Sequence, residues 1–324
     1  MGQKNNVLNV YMNDPKRIKS VLEYCLKKKL PEDWASHCMD DSRFYAVENV
    51  KKKISSRERD IYKKVVGEDK KFYLGIENQD DINLIFPWRL MQMDCLAYER
   101  QIEEVKKKNR EYKVSLGEED DFLYRFKKED RLLPVVNLTL YWGKRKWKKP
   151  LRMRHMINMN GLPDGFECLV EDYRIHLIDM RAIPESALEE MDSDLKYVLG
   201  IMKYEDSGRK YQDYIQENQD FFKRIPKCAV DVLKVCMNIS EIEKYLEYEE
   251  QDGEESVNMC KALMELKMEA MRAGRREGRR EGKRESCLRD IHKMMKNLKL
   301  SAKQAMDVLE ISEREQKEYI KMLG

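Results

Sequence analysis

The sequence of 324 residues predicts an α/β fold followed by an all-helical C-terminal part. Three observations carry that prediction. Apolar runs of strand length occur only before about residue 185. Among them lie segments with apolar residues three and four apart, the spacing of one helix face. Beyond that point the apolar residues keep helical spacing to the end.

The elements follow in order. Asp14-Pro15 and the following KRIKSVLEYCLKKKL read as a capped helix that ends before Pro31. Residues 43–50 (RFYAVENV) read as a strand, as do 60–66 (DIYKKVV) and 72–79 (FYLGIENQ). Gly67-Glu68-Asp69-Lys70 joins the last two into a hairpin, because Gly and Asp tolerate tight-turn dihedrals. Pro87 opens a long helix with an expected apolar stripe of Trp88, Met91, Cys95, Tyr98, Ile102 and Val105. The run LPVVNLTLYW (133–142), apolar on both faces, reads as a central strand ended by Gly143. YRIHLID (173–179) is a further strand. Segments 187–204, 208–222, 226–238 and 240–272 read as helices.

GRREGRREGKRE (274–285) repeats a tetrapeptide. Each internal glycine costs a helix about 1 kcal/mol relative to alanine, and Arg–Glu pairs return a few tenths each, which predicts a partly flexible helical spacer. The expected division is an α/β domain at 1–185, a helical extension at 186–272, the spacer at 273–285 and a small helical hairpin at 286–324.

Composition excludes whole classes of function. Lys and Arg total 63 against 60 Asp and Glu, for a net charge of +3. No run approaches the roughly 18 apolar residues of a membrane span. The N-terminus has no apolar core of a signal peptide, and Asn6 breaks the myristoylation pattern. The expectation is a cytoplasmic protein with no membrane partner. The eight cysteines form no CxxC pair and read as reduced, mostly buried thiols. The four histidines show no HExxH spacing, so a zinc hydrolase has no support.

The hairpin brings two acids together. With 67–70 as the loop, Val66 pairs with Lys71 and Asp60 lies opposite Glu77. Directly paired residues have Cβ atoms about 4.5–5.5 Å apart on one face. Gln79, two residues on, points the same way, while Phe72, Leu74 and Ile76 turn to the core. Two carboxylates that close stay ionised only with a cation between them, and Mg²⁺ takes one or two carboxylates plus waters and phosphates. A solvated acid pair met by chance, in a chain with 60 acids, is the competing reading. One residue more or less in the loop would abolish the pairing.

RERDIYKKV (57–65), YLGIENQDDINLIFPWRLMQMDCLAYERQ (73–101) and EDRLLPVVNLTLYWG (129–143) resemble the Rpn family of recombination-promoting nucleases or transposases. YRIHLID, the GRRE repeat and MMKNLKLSAKQAMDVLEIS (294–312) fit the same resemblance, which covers roughly residues 55–324. It implies a restriction-endonuclease-like (PD-(D/E)XK) mixed sheet flanked by helices. That superfamily carries an Asp on one strand and Glu-x-Lys on the next. The resemblance therefore implies that Asp60 and Glu77 bind Mg²⁺, with Mn²⁺ able to substitute. It also implies that Gln79, at the lysine position, orients the attacking water or scissile phosphate. Glutamine for lysine removes a fixed positive charge, and Arg59 stands where proline or an apolar residue is commoner. Asp94, Tyr98 and Gln101 share one side of the following helix, and the resemblance implies that Tyr98 and Gln101 assist the site. Relatives draw an acid from an N-terminal helix; Glu23 and Glu48 are both available. The implied function is an Mg²⁺-dependent DNA endonuclease of low sequence specificity, linked to recombination or transposition. The alternative is a decayed nuclease fold serving as a DNA-binding or protein-interaction module.

KRKWKKPLRMR (144–154) supplies DNA-binding candidates: Lys144, Arg145, Lys146, Lys148, Lys149, Arg152 and Arg154, with Trp147 among them. Residues 300–323 have the cadence of two helices joined by a turn, with Ser301 and Ser312 as caps. The second is balanced in charge, which weakens a groove-reading role and favours packing or self-association into a homo-oligomer through the C-terminal helices. Met294, Met295, Met306 and Met322 read as core.

Overall fold

A computed structural model of the protein describes residues 3–41, 44–48, 54–67, 70–117, 119–121, 123–251 and 254–323. The chain forms two compact units, Met1–Cys260 and Lys261–Gly324. The first opens with α1 (Gln3–Met12) and α2 (Pro15–Leu26). Asp14 caps α2 by accepting from the Lys16 and Arg17 amides at 2.7 and 3.3 Å. The helix stops at Lys27, whose φ of 50° is left-handed, so the following lysines lie outside it.

Five short strands follow: β1 (Cys38–Asp40), β2 (Phe44–Glu48), β3 (Ile54–Glu58), β4 (Ile61–Val66) and β5 (Lys71–Gln79). Then come α3 (Phe86–Glu111), β6 (Val135–Tyr141) and β7 (Leu177–Asp179). The main sheet has the order β1-β4-β5-β6-β7; its first three strands are antiparallel, and β5, β6 and β7 run parallel. This is the mixed sheet flanked by helices that the sequence predicts. β6 lies inside the sheet, as an unbroken apolar run demands. The expected strand at 43–50 falls on β2, with residues 43, 49 and 50 outside the described residues. Its partner β3 carries no strand signal in the sequence, because ISSRE shows no apolar alternation.

Two local expectations need correction. The buried stripe of α3 is Phe86, Leu90, Met93, Ala97 and Gln101, and Cys95 is exposed. Apolar residues occupy more than one side of this helix, so spacing alone cannot choose the face that meets the sheet. On that face Phe86, Leu90 and Met93 pack with Tyr141, Trp147 and Ile175. Ala97 packs with Tyr62 and Tyr73, whose rings stack at 5.2 Å. Strand signals also do not stop at 185. After α4 (Glu185–Glu189), α5 (Leu195–Tyr204), α6 (Gly208–Glu217) and α7 (Gln219–Lys223) comes β8 (Ile225–Pro226). α8 (Lys227–Met237) then leads to β9 (Glu247–Gln251) and β10 (Glu254–Asn258), and the three strands form a sheet of order β8-β10-β9. EYEEQ and EESVN are too charged to show a strand's apolar period, so they read as helix. α1 packs on both β5 and α8.

The second unit holds most of α9 (Cys260–Leu298), which runs through the GRRE repeat as continuous helix, then α10 (Ala302–Val308) and α11 (Glu313–Leu323). Ile291, Ala305, Met306 and Tyr319 form its buried cluster. Ser301 and Gln304 make a reciprocal capping box. Met294 and Met295 pack against the cluster, whereas Met322 is exposed. All eight cysteines are free, but only Cys236 is buried, fewer than expected. Among the described residues no helix is long and apolar enough to cross a membrane.

Candidate active site

The β4–β5 hairpin has the predicted register: Val66 pairs with Lys71 and Ile61 with Ile76. Asp60 is the residue before the ladder's last pair on β4, and Glu77 the residue after it on β5. Residues 68 and 69 of the loop lie outside the described residues, but the flanking pairs define the register. Asp60 and Glu77 are 3% and 2% exposed, so their environment is dry.

Asp60 closes the end of the ladder with its side chain. One oxygen accepts the Asn78 amide at 2.8 Å and the other accepts Asn9 Nδ2 at 3.0 Å. Asn78 in turn donates to Asn9 Oδ1 and accepts from Trp142 Nε1, both at 3.0 Å. α1 thus supplies Asn9 to the site. Glu23 instead accepts from Leu30 N and Lys29 at the end of α2, and the side chain of Glu48 lies outside the described residues.

Glu77 receives the Asp60 backbone N–H, yet its Oε1 has no hydrogen-bond partner among the described residues. Burial, then the Asp60 charge, push its pKa up to about 8, against the opposing pull of Arg59 and Arg89. Its register neighbour on β6 is Thr139, whose Oγ1 is also buried without a partner among the described residues. Gln79 sits at the strand end, beside Tyr141 in register, and donates to the Asn78 carbonyl at 2.9 Å. A cleft of about 430 Å³, lined by Asp80, Asp81, Tyr141, Trp142, Lys144 and Arg145, opens at the carboxyl ends of β5 and β6.

The structure does not bring Tyr98 and Gln101 to the carboxylates. Tyr98 Oη accepts the Val135 amide at 3.2 Å. Gln101 accepts from Leu133 N and donates to Leu133 O, at 2.7 and 3.2 Å. Both secure the start of β6, four residues and so about 13 Å along the strand from Thr139. Asp94, one and two turns earlier, does something else. It accepts from Arg59 Nη2 at 2.7 Å, Asn137 Nδ2 at 2.5 Å and Tyr173 Oη at 2.6 Å. Arg59 Nη1 donates to Asn137 Oδ1, and the guanidinium is wholly buried. A Cβ on Gly75 would lie 2.4 Å from Arg59 Nη1 and from Asn137 Oδ1, so this close approach requires glycine. Sequence reasoning missed this network; a glycine amid strand residues was its one visible signal.

Two carboxylates are the donors a cation would find here. Among the described residues no group of three or more His, Cys, Asp or Glu side chains comes together. An all-protein cage is therefore not offered. The donor set instead suits a hard cation that keeps waters, and an orphaned, desolvated Glu77 oxygen is what such an ion would satisfy. On that chemistry the residues fit Mg²⁺.

The basic tract divides in two. Lys144 pairs with Glu205, Arg145 with Asp81 at 3.2 Å and Arg152 with Asp172 at 3.2 Å. Arg154 donates to the Glu167 and Val170 carbonyls. Lys146, Lys148 and Lys149 stand exposed. Trp147 is buried edge-on against Phe86 and Tyr141 and donates to Pro150 O, so its ring anchors the loop and is not presented for base stacking.

A family model described as "Putative transposase, YhgA-like" matches residues 6–229, a span that includes Asn9, Asp60, Glu77, Thr139 and the basic tract. No curated protein and no solved structure matches the chain.

Proposed function

The chain belongs to the YhgA-like putative transposase family, and we propose that it is an Mg²⁺-dependent DNA endonuclease of low sequence specificity that works in recombination or transposition. The observation that carries this reading is the Asp60–Glu77 pair: two dry carboxylates at one end of the hairpin, the Asp60 charge acting on Glu77, and one Glu77 oxygen with no partner among the described residues. Bound Mg²⁺, or Mn²⁺ in its place, supplies Lewis-acid stabilisation and a water of lowered pKa.

The chain's own residues divide the remaining work. Asn9 and the Asn78 amide fix the orientation of Asp60, so that carboxylate needs little reorganisation on binding. Gln79, at the strand end near the cleft, positions a polar amide toward the phosphate or water. Lys146, Lys148 and Lys149 hold backbone phosphates, an interaction indifferent to sequence. Arg59 does not replace the motif lysine as a free charge, because Asp94 neutralises it.

A second reading, a non-catalytic DNA-binding or interaction module on this fold, is favoured by one observation. Both Asp60 oxygens already accept protein hydrogen bonds. Plasmid nicking by the purified chain with Mg²⁺ or Mn²⁺, against EDTA, decides between the two. Metal-dependent nicking that Asp60→Ala and Glu77→Ala abolish supports the nuclease. No nicking, with DNA retained in a gel shift, supports the module.

A further inference from the structure

Thr139 lies in the interior of the sheet, 0% exposed, in a strand otherwise built of Val, Leu, Asn and Tyr. Its backbone N–H is taken by the His176 carbonyl at 2.9 Å, and its hydroxyl has no partner among the described residues. A buried hydroxyl left unsatisfied costs about 1–3 kcal/mol, and valine would fill the same space without that cost. In the parallel ladder Thr139 is the register partner of Glu77, so the two side chains stand on one face of adjacent strands, roughly 4.8 Å apart in the hydrogen-bonding direction. Glu77 Oε1 is likewise buried with no partner among the described residues. Two orphaned atoms side by side, on neighbouring strands in a dry site, call for one shared partner. A buried water needs two to four polar contacts, and a hydroxyl can both donate and accept.

We propose that Thr139 Oγ1 and Glu77 Oε1 hold between them a water of the bound cation's hydration shell, which makes Thr139 a positioning residue for the metal. This rests on the metal-site reading above. Thr139 would act on the cation only through that water, and no bond would form or break at its hydroxyl.

The test is Mn²⁺ binding to the full chain, followed by the electron paramagnetic resonance of free Mn²⁺, together with thermal melting of the metal-free protein. Wild type, Glu77→Ala, Thr139→Val and Thr139→Ser are compared. Glu77→Ala loses binding. Thr139→Val binds about tenfold more weakly, the usual cost of a lost outer-shell partner, yet melts at or above the wild-type temperature. Thr139→Ser, which keeps the hydroxyl, binds near the wild-type level. Wild-type affinity in Thr139→Val overturns the inference and leaves the metal site standing. Equal weakening in the valine and serine variants overturns it in favour of packing. Unchanged binding in Glu77→Ala, or none in wild type, overturns the metal-site reading itself and this inference with it.

Discussion

Two buried polar clusters lie on the α3 face of the same sheet and differ in one respect. In the Arg59–Asp94–Asn137–Tyr173 cluster, both Asp94 oxygens and both Asn137 amide atoms have protein partners. In the Glu77–Thr139 cluster, one oxygen on each residue has none among the described residues. The first ties the start of β4 to α3, β6 and the segment before β7, and its carboxylate and its amide are satisfied within the protein. The second is incomplete as protein alone. Burial of a polar atom is costly in both places; the proposed metal site assigns the first group to holding the fold and the second to something that binds.

Changes in the first cluster should therefore damage stability, and changes in the second should spare or improve it. Asp94→Ala leaves the wholly buried Arg59 guanidinium without its carboxylate, and breaking such a pair costs about 3–5 kcal/mol. Urea unfolding measures this; a loss under about 1 kcal/mol would erase the distinction. Gly75→Ala forces a methyl against Arg59 and Asn137 and is expected to cost about 1–3 kcal/mol by the same assay.

Glu77→Gln has the opposite sign. The folded protein raises the Glu77 pKa from 4.5 to about 8, so the metal-free native state holds a proton that the unfolded chain releases. That contribution is fully present below about pH 4.5 and is lost as pH rises through 8. Metal-free wild type should lose melting temperature over this range; Glu77→Gln should flatten the slope and melt higher at pH 8. A wild-type profile flat from about pH 5 to 8 would contradict the dry environment assigned to Glu77. The smallest effect on stability belongs to Lys146, Lys148 and Lys149. Their triple alanine variant should fold as wild type while the salt dependence of DNA binding falls by about 0.9 in slope per phosphate contact removed. An unchanged slope would remove the tract from the DNA-contact reading.

Much of the scaffold is legible in the amino-acid sequence. The hairpin register follows from a short Gly-containing loop between two β-favouring runs, and it ends at Ile61–Ile76, one residue short of Asp60 and Glu77. The interior place of β6 follows from its unbroken apolar run. The polar network is hidden because its partners lie 35, 43 and 79 residues apart, and no local period reports such pairs. Tyr98 and Gln101 show how a correct face misleads. They share a side with Asp94, but seven residues of helix advance about 10 Å, which moves Gln101 to the far end of β6. The charged strands β9 and β10 escape for want of apolar alternation.

We propose that the Glu77–Thr139 cluster is a working metal site. Plasmid nicking with Mg²⁺ or Mn²⁺ against EDTA, wild type beside Glu77→Ala, tests it most directly. The account predicts nicking that requires the metal and disappears in the variant while the fold is kept. Metal-dependent nicking that survives in purified Glu77→Ala would contradict it.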